Sequence, residues 1–184
     1  ASAKIAVIAA SLARQTHLAN ADEVYTFALF RDCGAAVLLQ SLVEYAPLYS
    51  RWLASAVDDP IETELDEIGV HHALIGHKLA QSWYLPASTC TAILAHHDAS
   101  ALDGTHAHIG ADGRRMIALA MIAEQTYYRL SHDRPAPEWQ RMGAAALTCC
   151  DLAEHDIAEL VSLARSSLAA GRSEEHTSEL QSPY

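Results

Sequence analysis

Histidines are grouped in two short segments of this chain, and each group could supply ligands to a metal ion. His71 and His72 are adjacent, and His96, His97 and Asp98 stand together further along the chain. Imidazole nitrogens and carboxylate oxygens are common protein ligands of Zn²⁺, iron and Mn²⁺. The sequence therefore predicts the ligands of a metal site, provided that the fold brings the two groups together.

The first group opens an apolar segment that has the periodicity of a helix. A helix from about His71 to Tyr84 places Ile75, Leu79 and Trp83 four residues apart on one stripe, which we expect to be core. Gly76 follows the histidines by about one turn. Its lack of a side chain would let another helix approach closely.

A second helix is predicted after Pro86, because proline suits the first turn of a helix. We expect this helix to point Cys90, Ile93 and Leu94 inward. It would present the second histidine group at its C-terminal end, where backbone carbonyls favour a protonated imidazole. The two groups would then lie within about one helical turn of each other.

Five sequence elements follow one another in the chain: Phe27–Gly34 (FALFRDCG), the acidic run before Gly69, His72–Gly76 (HALIG), Trp83–Pro86 (WYLP) and the doublet His96–His97. In this order they resemble the HDOD domain, the HD-related output domain of bacterial signalling proteins. The resemblance extends over Ala1 to about Ala170. It implies an all-α fold, a compact multi-helix bundle like those of the HD superfamily.

Enzymes of that superfamily hold one to three metal ions between helices and hydrolyse phosphate esters, including cyclic dinucleotides. The resemblance transfers four ligand positions to this chain: Asp32, His72, His96 and His97. Three other positions depart from the pattern. Arg31 stands where the histidine of the HD pair is expected, the first helix opens without a histidine, and Met121 falls near the place of a late aspartate. No Gly-Tyr-Pro follows Asp98.

Arg31 is an unfavourable replacement, because a guanidinium stays charged at any accessible pH and would repel a divalent cation. A hydrolytic site needs enough ligands to hold its ion and to lower the pKa of bound water to about 7. An ion pair between Arg31 and Asp32, or a hydrogen bond between Asp32 and His72, would instead form a structural polar network.

We therefore expect a catalytically inactive regulatory or protein-interaction module in bacterial signal transduction, not an enzyme. It would have no catalytic residue, no cofactor and no bound metal, and the four transferred positions would be vestiges of a metal site. The alternative is a metal-dependent phosphohydrolase, similar to a cyclic-dinucleotide phosphodiesterase, whose rearranged site uses the same four residues.

The other histidines and the cysteines have simpler structural explanations. We expect five histidines without matching partners to lie on the surface: His17, His106, His108, His132 and His155. The four cysteines show no CxxC spacing and are expected to be small buried side chains in a reducing cytoplasm: Cys33, Cys90, Cys149 and Cys150.

Composition indicates a single all-α domain. Hydrophobic residues make up 51% of the chain, Ala and Leu dominate, and no segment alternates as a half-buried strand does. The formal net charge of −11 disfavours contact with nucleic acid or anionic lipid. No apolar run approaches the length of a membrane span. We expect a cytoplasmic protein.

Local signals place the helix boundaries. Asp22 is a candidate N-terminal cap of a helix, and Pro47 is expected to break the apolar helix before it. Asp59-Pro60 is expected to start another helix, with Asp59 as its cap. Ser100–Gly113 is the longest predicted loop. The later predicted helices are Met116–Leu130, Glu138–Leu147 and Glu154–Leu168.

The two ends of the chain need separate interpretation. Arg172–Ser182 reads RSEEHTSELQS, which back-translates with permitted codons into a common sequencing adapter. We therefore interpret 172–184 as a non-native tail and 1–171 as the domain. HDOD domains usually have a further helical lobe upstream, so this domain is interpreted as a C-terminal part.

A missing lobe would have two consequences. The first-helix face with Ile5, Ile8 and Leu12 would lie exposed and promote association. Receiver or GGDEF modules, which are common beside this domain and are the expected protein partners, could have been lost together with the lobe.

We predict that deleting Arg172–Tyr184 leaves folding unchanged, because this segment was not selected to pack against the preceding helices. Thermal melts of the whole and the shortened chain should agree within about 2 °C, the shift that corresponds to under about 1 kcal/mol. A clear loss of stability in the shortened chain would show that the tail packs on the domain.

Overall fold

The computed structural model describes residues 1–54 and 59–166, and within these ranges it contains helices and short connections but no strand. This confirms the all-α prediction. The helices are α1 (Ser2–Thr16), α2 (Ala21–Phe30), α3 (Cys33–Ser41), α4 (Tyr45–Leu53), α5 (Pro60–Ile68), α6 (His72–Ser82), α7 (Ala87–Ala95), α8 (Ser100–Asp103), α9 (Ala111–His132) and α10 (Trp139–Cys149). Residues 156–166 are also helical. The tail 172–184 lies outside the described residues.

Helix α9 is the centre of the bundle, because α1, α2, α7, α8 and α10 all pack against it. Its side chains Met116, Ile117, Leu119 and Ile122 are at most 2% exposed. Burial of a side chain of this size stabilises the fold by about 1.5–3 kcal/mol. No described helix, α9 included, is long and apolar enough to cross a membrane.

Helices α3 and α6 approach each other more closely than any side chain would allow. A Cβ atom on Gly34 would lie 2.0 Å from the His72 carbonyl oxygen and 2.6 Å from the Gly76 amide nitrogen. Gly76 also faces Ile93 of α7. The contact brings Asp32, the residue before α3, against the first turn of α6. The close approach predicted at Gly76 is therefore present, with Gly34 as its partner.

A second, smaller apolar core lies on the other side of α3. It consists of Ala35, Leu38, Tyr45 and Leu48, with Ile68, Val70 and Ile75 packed against it. Helices α4 and α5 thus close over the start of α6. Ala80 of α6 belongs to the main core, and Ile75 contacts the smaller one.

Two predicted helix boundaries are corrected by the structure. Asn20, rather than Asp22, caps α2, because its side-chain oxygen accepts the backbone N–H groups of Asp22 and Glu23. Pro47 does not break a helix but lies in the first turn of α4, where a backbone N–H has no partner within the helix. The predicted cap at Asp59 is confirmed, since its carboxylate accepts two N–H groups at the start of α5.

The longest predicted loop, Ser100–Gly113, is shorter in the structure. It contains α8, and α9 already begins at Ala111. Gly104 ends α8 with φ 84°, a left-handed conformation that glycine adopts without strain.

The prediction that the apolar face of the first helix is exposed is also wrong. Ile5, Ile8 and Leu12 are 4%, 2% and 3% exposed, because α1 packs against both α2 and α9. These three side chains belong to the main core.

The apolar stripe predicted for α6 is only partly buried. Trp83 is 49% exposed and Leu94 of α7 is 36% exposed, while Ile75 and Leu79 are only half-buried. The buried face of α6 carries His72, Ala73, Gly76 and Ala80. Small side chains and one histidine occupy that face because α3 and α7 pack too closely for larger ones.

We predict that Gly34→Ala destabilises the fold by about 3 kcal/mol, because the new methyl group would overlap backbone atoms of α6. Gly113→Ala is the matched control. Its Cβ would meet Ile109 at 3.4 Å, an ordinary contact, and alanine favours the helix by up to about 1 kcal/mol. Urea denaturation of both variants tests this. Equal stability of the two variants would contradict the close contact of α3 with α6.

Candidate functional site

The four predicted residues converge in the structure. One side-chain atom each of Asp32, His72, His96 and His97 lies within 4.8 Å of the other three. The three imidazoles are at most 4% exposed, and the Asp32 side chain is 23% exposed. We refer to these four residues as the His–Asp cluster. Its ligands come from the residue before α3, the first residue of α6 and the two residues after α7.

His72 is held by a buried carboxylate from α5. Its Nδ1–H donates to Glu64 at 2.8 Å, and its backbone N–H donates to the same carboxylate at 2.7 Å. Tyr45 donates its hydroxyl to Glu64 at 2.6 Å. Burial would raise the pKa of Glu64, but the hydrogen bond and charge of His72 outweigh it and lower that pKa. Glu64 is therefore an ionised acceptor that fixes the ring of His72.

His97 is held in the same way from the other side of the cluster. Its Nδ1 contacts the carboxylate of Glu138, whose second oxygen contacts Arg141. Arg141 also donates to the carbonyl oxygen of His97 at 2.8 Å. Burial raises the pKa of Glu138 and Arg141 opposes that change. Burial outweighs Arg141, so the pKa of Glu138 lies above its usual value.

His96 has a backbone partner in place of a carboxylate. Its Nδ1–H donates to the carbonyl oxygen of Ile93 at 2.6 Å, across the last turn of α7. Its Nε2 lies 3.2 Å from Asp32 Oδ1. All three imidazoles thus have an acceptor at Nδ1 and direct Nε2 toward the centre of the cluster.

Two contacts inside the cluster require a positive charge or a proton. The Nε2 atoms of His72 and His97 are 2.8 Å apart, and His96 Nε2 faces Asp32 Oδ1. When Nδ1 carries the hydrogen of a neutral imidazole, Nε2 is an acceptor. Two acceptors at these distances repel each other unless a proton lies between them or a cation binds both.

Arg31 binds the outer side of Asp32. Its Nε donates to Asp32 Oδ2 at 3.1 Å, and its Nη2 donates to Glu124 of α9 at 2.7 Å. Burial opposes the charge of Arg31, but Glu124 and Asp32 outweigh it and raise the pKa of the guanidinium. The ion pair expected from the sequence is present. Glu124, one turn after Met121, is an additional partner that balances the arginine.

The electrostatics differ from the expectation of a protonated imidazole at the end of α7. Burial lowers the pKa of His97 well below its usual value, and His96 and His72 lower it further. Burial would raise the pKa of Asp32, but Arg31 and His96 outweigh it and hold that pKa well below its usual value. The carboxylate near the imidazoles is Asp32. Asp98 is exposed and lies 3.7 Å from His106.

Sequence reasoning missed the residues that orient the cluster. Glu64 belongs to the acidic run before Gly69, but the sequence does not show which carboxylate of that run orients His72. Glu138 follows a proline-rich loop and gave no signal. Glu124 interrupts the apolar pattern of α9, and that interruption was the available sign of a buried partner.

Trp52 covers one side of the cluster. Its ring stacks on His72 with the centroids 5.5 Å apart and the planes 25° apart, and its edge faces His97. The indole Nε1 is buried and has no hydrogen-bond partner among the described residues. Trp52 thus excludes water from this side.

The family model described as HDOD domain matches residues 1–99. This match covers more than half of the chain and includes all four residues of the cluster. The chain belongs to the HDOD family. No curated protein and no solved structure matches this HDOD domain. The match ends two residues after His97, whereas the resemblance was expected to extend to about Ala170.

The donor set of this HDOD domain fits one cation of the kind that the HD superfamily holds. Asp32, His72, His96 and His97 would bind it, and three oriented imidazoles with one carboxylate suit Zn²⁺ or a related transition metal. When bound in a hydrolase, such an ion supplies an activated water.

We predict that, with a chelator present, acidification below about pH 6.5 destabilises the fold in part through His97. The fold favours neutral His97, so the unfolded chain binds the extra proton and becomes relatively more stable as pH falls. Below about pH 6.5, the free energy of unfolding should fall by up to about 1.4 kcal/mol per pH unit through His97 alone, until the pH reaches the pKa of His97 in the folded state.

Urea denaturation between pH 7 and pH 5 measures this dependence. His97→Gln should have a shallower slope than the unchanged chain, and His155→Gln should match the unchanged chain because His155 is exposed. Identical slopes for all three proteins would show that His97 is not held neutral by the fold.

Proposed function

We propose that this HDOD domain is a catalytically inactive regulatory or protein-interaction module of bacterial signal transduction. It would act in the cytoplasm and bind protein partners such as receiver or GGDEF modules. The family match supports the general class. The absence of enzymatic activity, the partners and the location are parts of the proposal.

The arrangement of Arg31 around Asp32 is the observation that carries the proposal. Asp32 Oδ2 is occupied by the guanidinium, which leaves Oδ1 as the oxygen that faces the imidazoles. A cation in the cluster would therefore have four protein ligands. Catalytic Zn²⁺ sites have three protein ligands and an open position for water, whereas structural sites are closed.

Burial supports the same interpretation. The three imidazoles are almost inaccessible, and Trp52 stacks on one of them. A phosphodiester must place its phosphorus near the metal-bound nucleophile. The Nε2 atoms that would hold the ion are shielded from such a substrate on the side that Trp52 covers.

A metal-dependent phosphohydrolase is the second candidate, and a cleft beside the cluster favours it. The cleft has a volume of about 580 Å³, and His97, Arg141, His71, His106 and Asp98 are among its lining residues. Clefts of this size accommodate small ligands. The net charge of the lining does not favour a phosphate, because the carboxylates Asp59, Glu62 and Asp98 oppose the single guanidinium.

We predict that neither the unchanged chain nor Arg31→His hydrolyses a cyclic dinucleotide in the presence of Mn²⁺, Fe²⁺ or Zn²⁺. The substitution restores the HD pair but adds neither a first-helix histidine nor a carboxylate at Met121, and a catalytic constellation acts as a unit. It also leaves Glu124 without its buried partner.

Chromatographic detection of the linear dinucleotide is the measurement, with a characterised phosphodiesterase as the positive control. Arg51→His is the matched substitution, because Arg51 forms an exposed ion pair with Glu67 away from the cluster. Metal-dependent turnover by the unchanged chain, abolished in His72→Ala, would establish the phosphohydrolase instead.

A further inference from the structure

We infer that the outer face of α3 is a docking surface for an amphipathic helix of a partner protein, one whose apolar face is bordered by basic residues. This inference rests on the proposed function, because it names the class of partner that the interaction module would bind. The surface lies on the side of α3 that faces away from α6.

Helix α3 is apolar on its exposed side as well as on its buried side. Its buried residues are Gly34, Ala35 and Leu38. On the other side, Val37 is 38% exposed and Leu39 is 41% exposed. None of the nine residues of α3 is charged. A surface helix usually carries charged and polar side chains toward solvent, so this composition indicates a helix that another surface covers.

The outer face of α3 has a shape on which a second helix can pack. Ala36 and Gln40 are exposed, and they lie one turn apart and opposite Gly34 in the helix. Val37 and Leu39 flank them on the two sides. The small side chain of Ala36 would let a partner helix come close, and the two flanking side chains would then contact it.

The apolar surface continues past the end of α3. Val43, two residues after the last residue of α3, is 89% exposed. Beneath this region lies the smaller core, which contains only four buried side chains. Exposed apolar groups that adjoin one another are typical of protein interaction sites.

Carboxylates border this surface. Residues 35–68 include seven acidic residues and one basic residue, Arg51, which is already paired with Glu67. Glu44 follows the end of α3 by three residues and is exposed, as is Asp66 of α5. Neither of these two carboxylates has an ion-pair partner within residues 1–54 and 59–166. The border therefore has an uncompensated negative charge.

Helix α5 contributes to this border because it ends near the end of α3. Leu42, which ends α3, and Ile68, which ends α5, pack against the same smaller core. Asp66 precedes Ile68 by two residues. The acidic helix and the apolar face thus belong to one side of the fold.

The acidic border determines which occupant suits the surface. A second copy of this chain would bring the same carboxylates to the contact, and like charges repel. Anionic lipid and nucleic acid would be repelled for the same reason. Lys or Arg residues beside an apolar helix face would complement the border, steer association and fix the register. We therefore expect a basic amphipathic helix.

Binding of a designed peptide tests the inference. The probe is a stapled, fluorescent helix of about 18 residues with Leu and Ala on one face and Lys on both borders of that face. Fluorescence anisotropy with the full chain should give a dissociation constant below about 100 µM at low ionic strength. A peptide with Glu in place of every Lys should not bind. Equal binding of the two peptides would overturn the inference.

A photoreactive residue on the apolar face of the peptide locates the binding surface without any variant of the chain. After irradiation and digestion with trypsin, we expect the label in the fragment Asp32–Arg51, which contains all of α3. A label confined to other fragments would place the peptide elsewhere on this acidic chain and would contradict the docking surface.

Variants of α3 measure the apolar contribution. Leu39→Gln should weaken binding about five- to tenfold, because Leu39 would become buried in the complex. Val37→Thr should act in the same direction, and both positions are exposed enough to keep the fold, which circular dichroism verifies. Tyr84→Asn is the control, since Tyr84 is 93% exposed on another helix end and Asn tolerates its φ of 58°. Equal affinities of folded Leu39→Gln and Tyr84→Asn would refute the role of α3.

A second set of variants measures the contribution of charge. Glu44→Gln combined with Asp66→Asn should weaken binding at low salt and reduce its dependence on salt. Glu154→Gln is the matched control, because Glu154 is exposed and lies outside α3, α4 and α5. The inference fails if the double variant binds as the control does.

Sedimentation of the chain without peptide tests the other occupant. We expect a monomer. A dimer that Leu39→Gln dissociates would show that a second copy covers α3, and the choice of a basic partner would then be wrong.

The dinucleotide assay distinguishes failure of this inference from failure of the proposed function. A chain that hydrolyses no cyclic dinucleotide and does not bind the Lys peptide contradicts the inference alone. A chain that hydrolyses the substrate and binds the peptide through α3 contradicts the inactive module but leaves the docking surface established.

Discussion

The close contact of α3 with α6 at Gly34 determines the rest of the candidate site. A side chain at this position would overlap the backbone of His72 and Gly76. Because the two backbones meet, Asp32 lies before the same turn that carries His72. The doublet His96–His97 reaches this turn because α7 packs on α6. Convergence of the four residues thus depends on two glycines and not on the ligands themselves.

A second constraint is the cost of burying polar groups. An imidazole with no partner inside a protein is unfavourable by several kcal/mol, so each ring of the cluster has an acceptor at Nδ1. Those acceptors are carboxylates in two cases, and they require partners in turn. Tyr45 and Arg141 supply them. The hydrogen-bonded network therefore runs from the small core under α4 to the surface near α10.

Arg31 changes the character of this network. An arginine beside Asp32 supplies a fixed positive charge where a histidine would supply a neutral ligand. Glu124 compensates that charge from the central helix and ties α2 to α9. This ion pair in place of a ligand supports the proposed regulatory role.

The sequence by itself determined the all-α class, the cap at Asp59 and, through a family resemblance, the four residues of the cluster. It offered the pairing of Arg31 with Asp32 as one of two alternatives. Each of these depends on local pattern or on a motif. Only the tertiary structure decided which face of α6 is buried and which carboxylates orient the imidazoles. Glu138 contacts a histidine 41 positions away in the chain, and Glu124 contacts an arginine from another helix. Periodicity does not encode such partners, because they depend on how the helices pack.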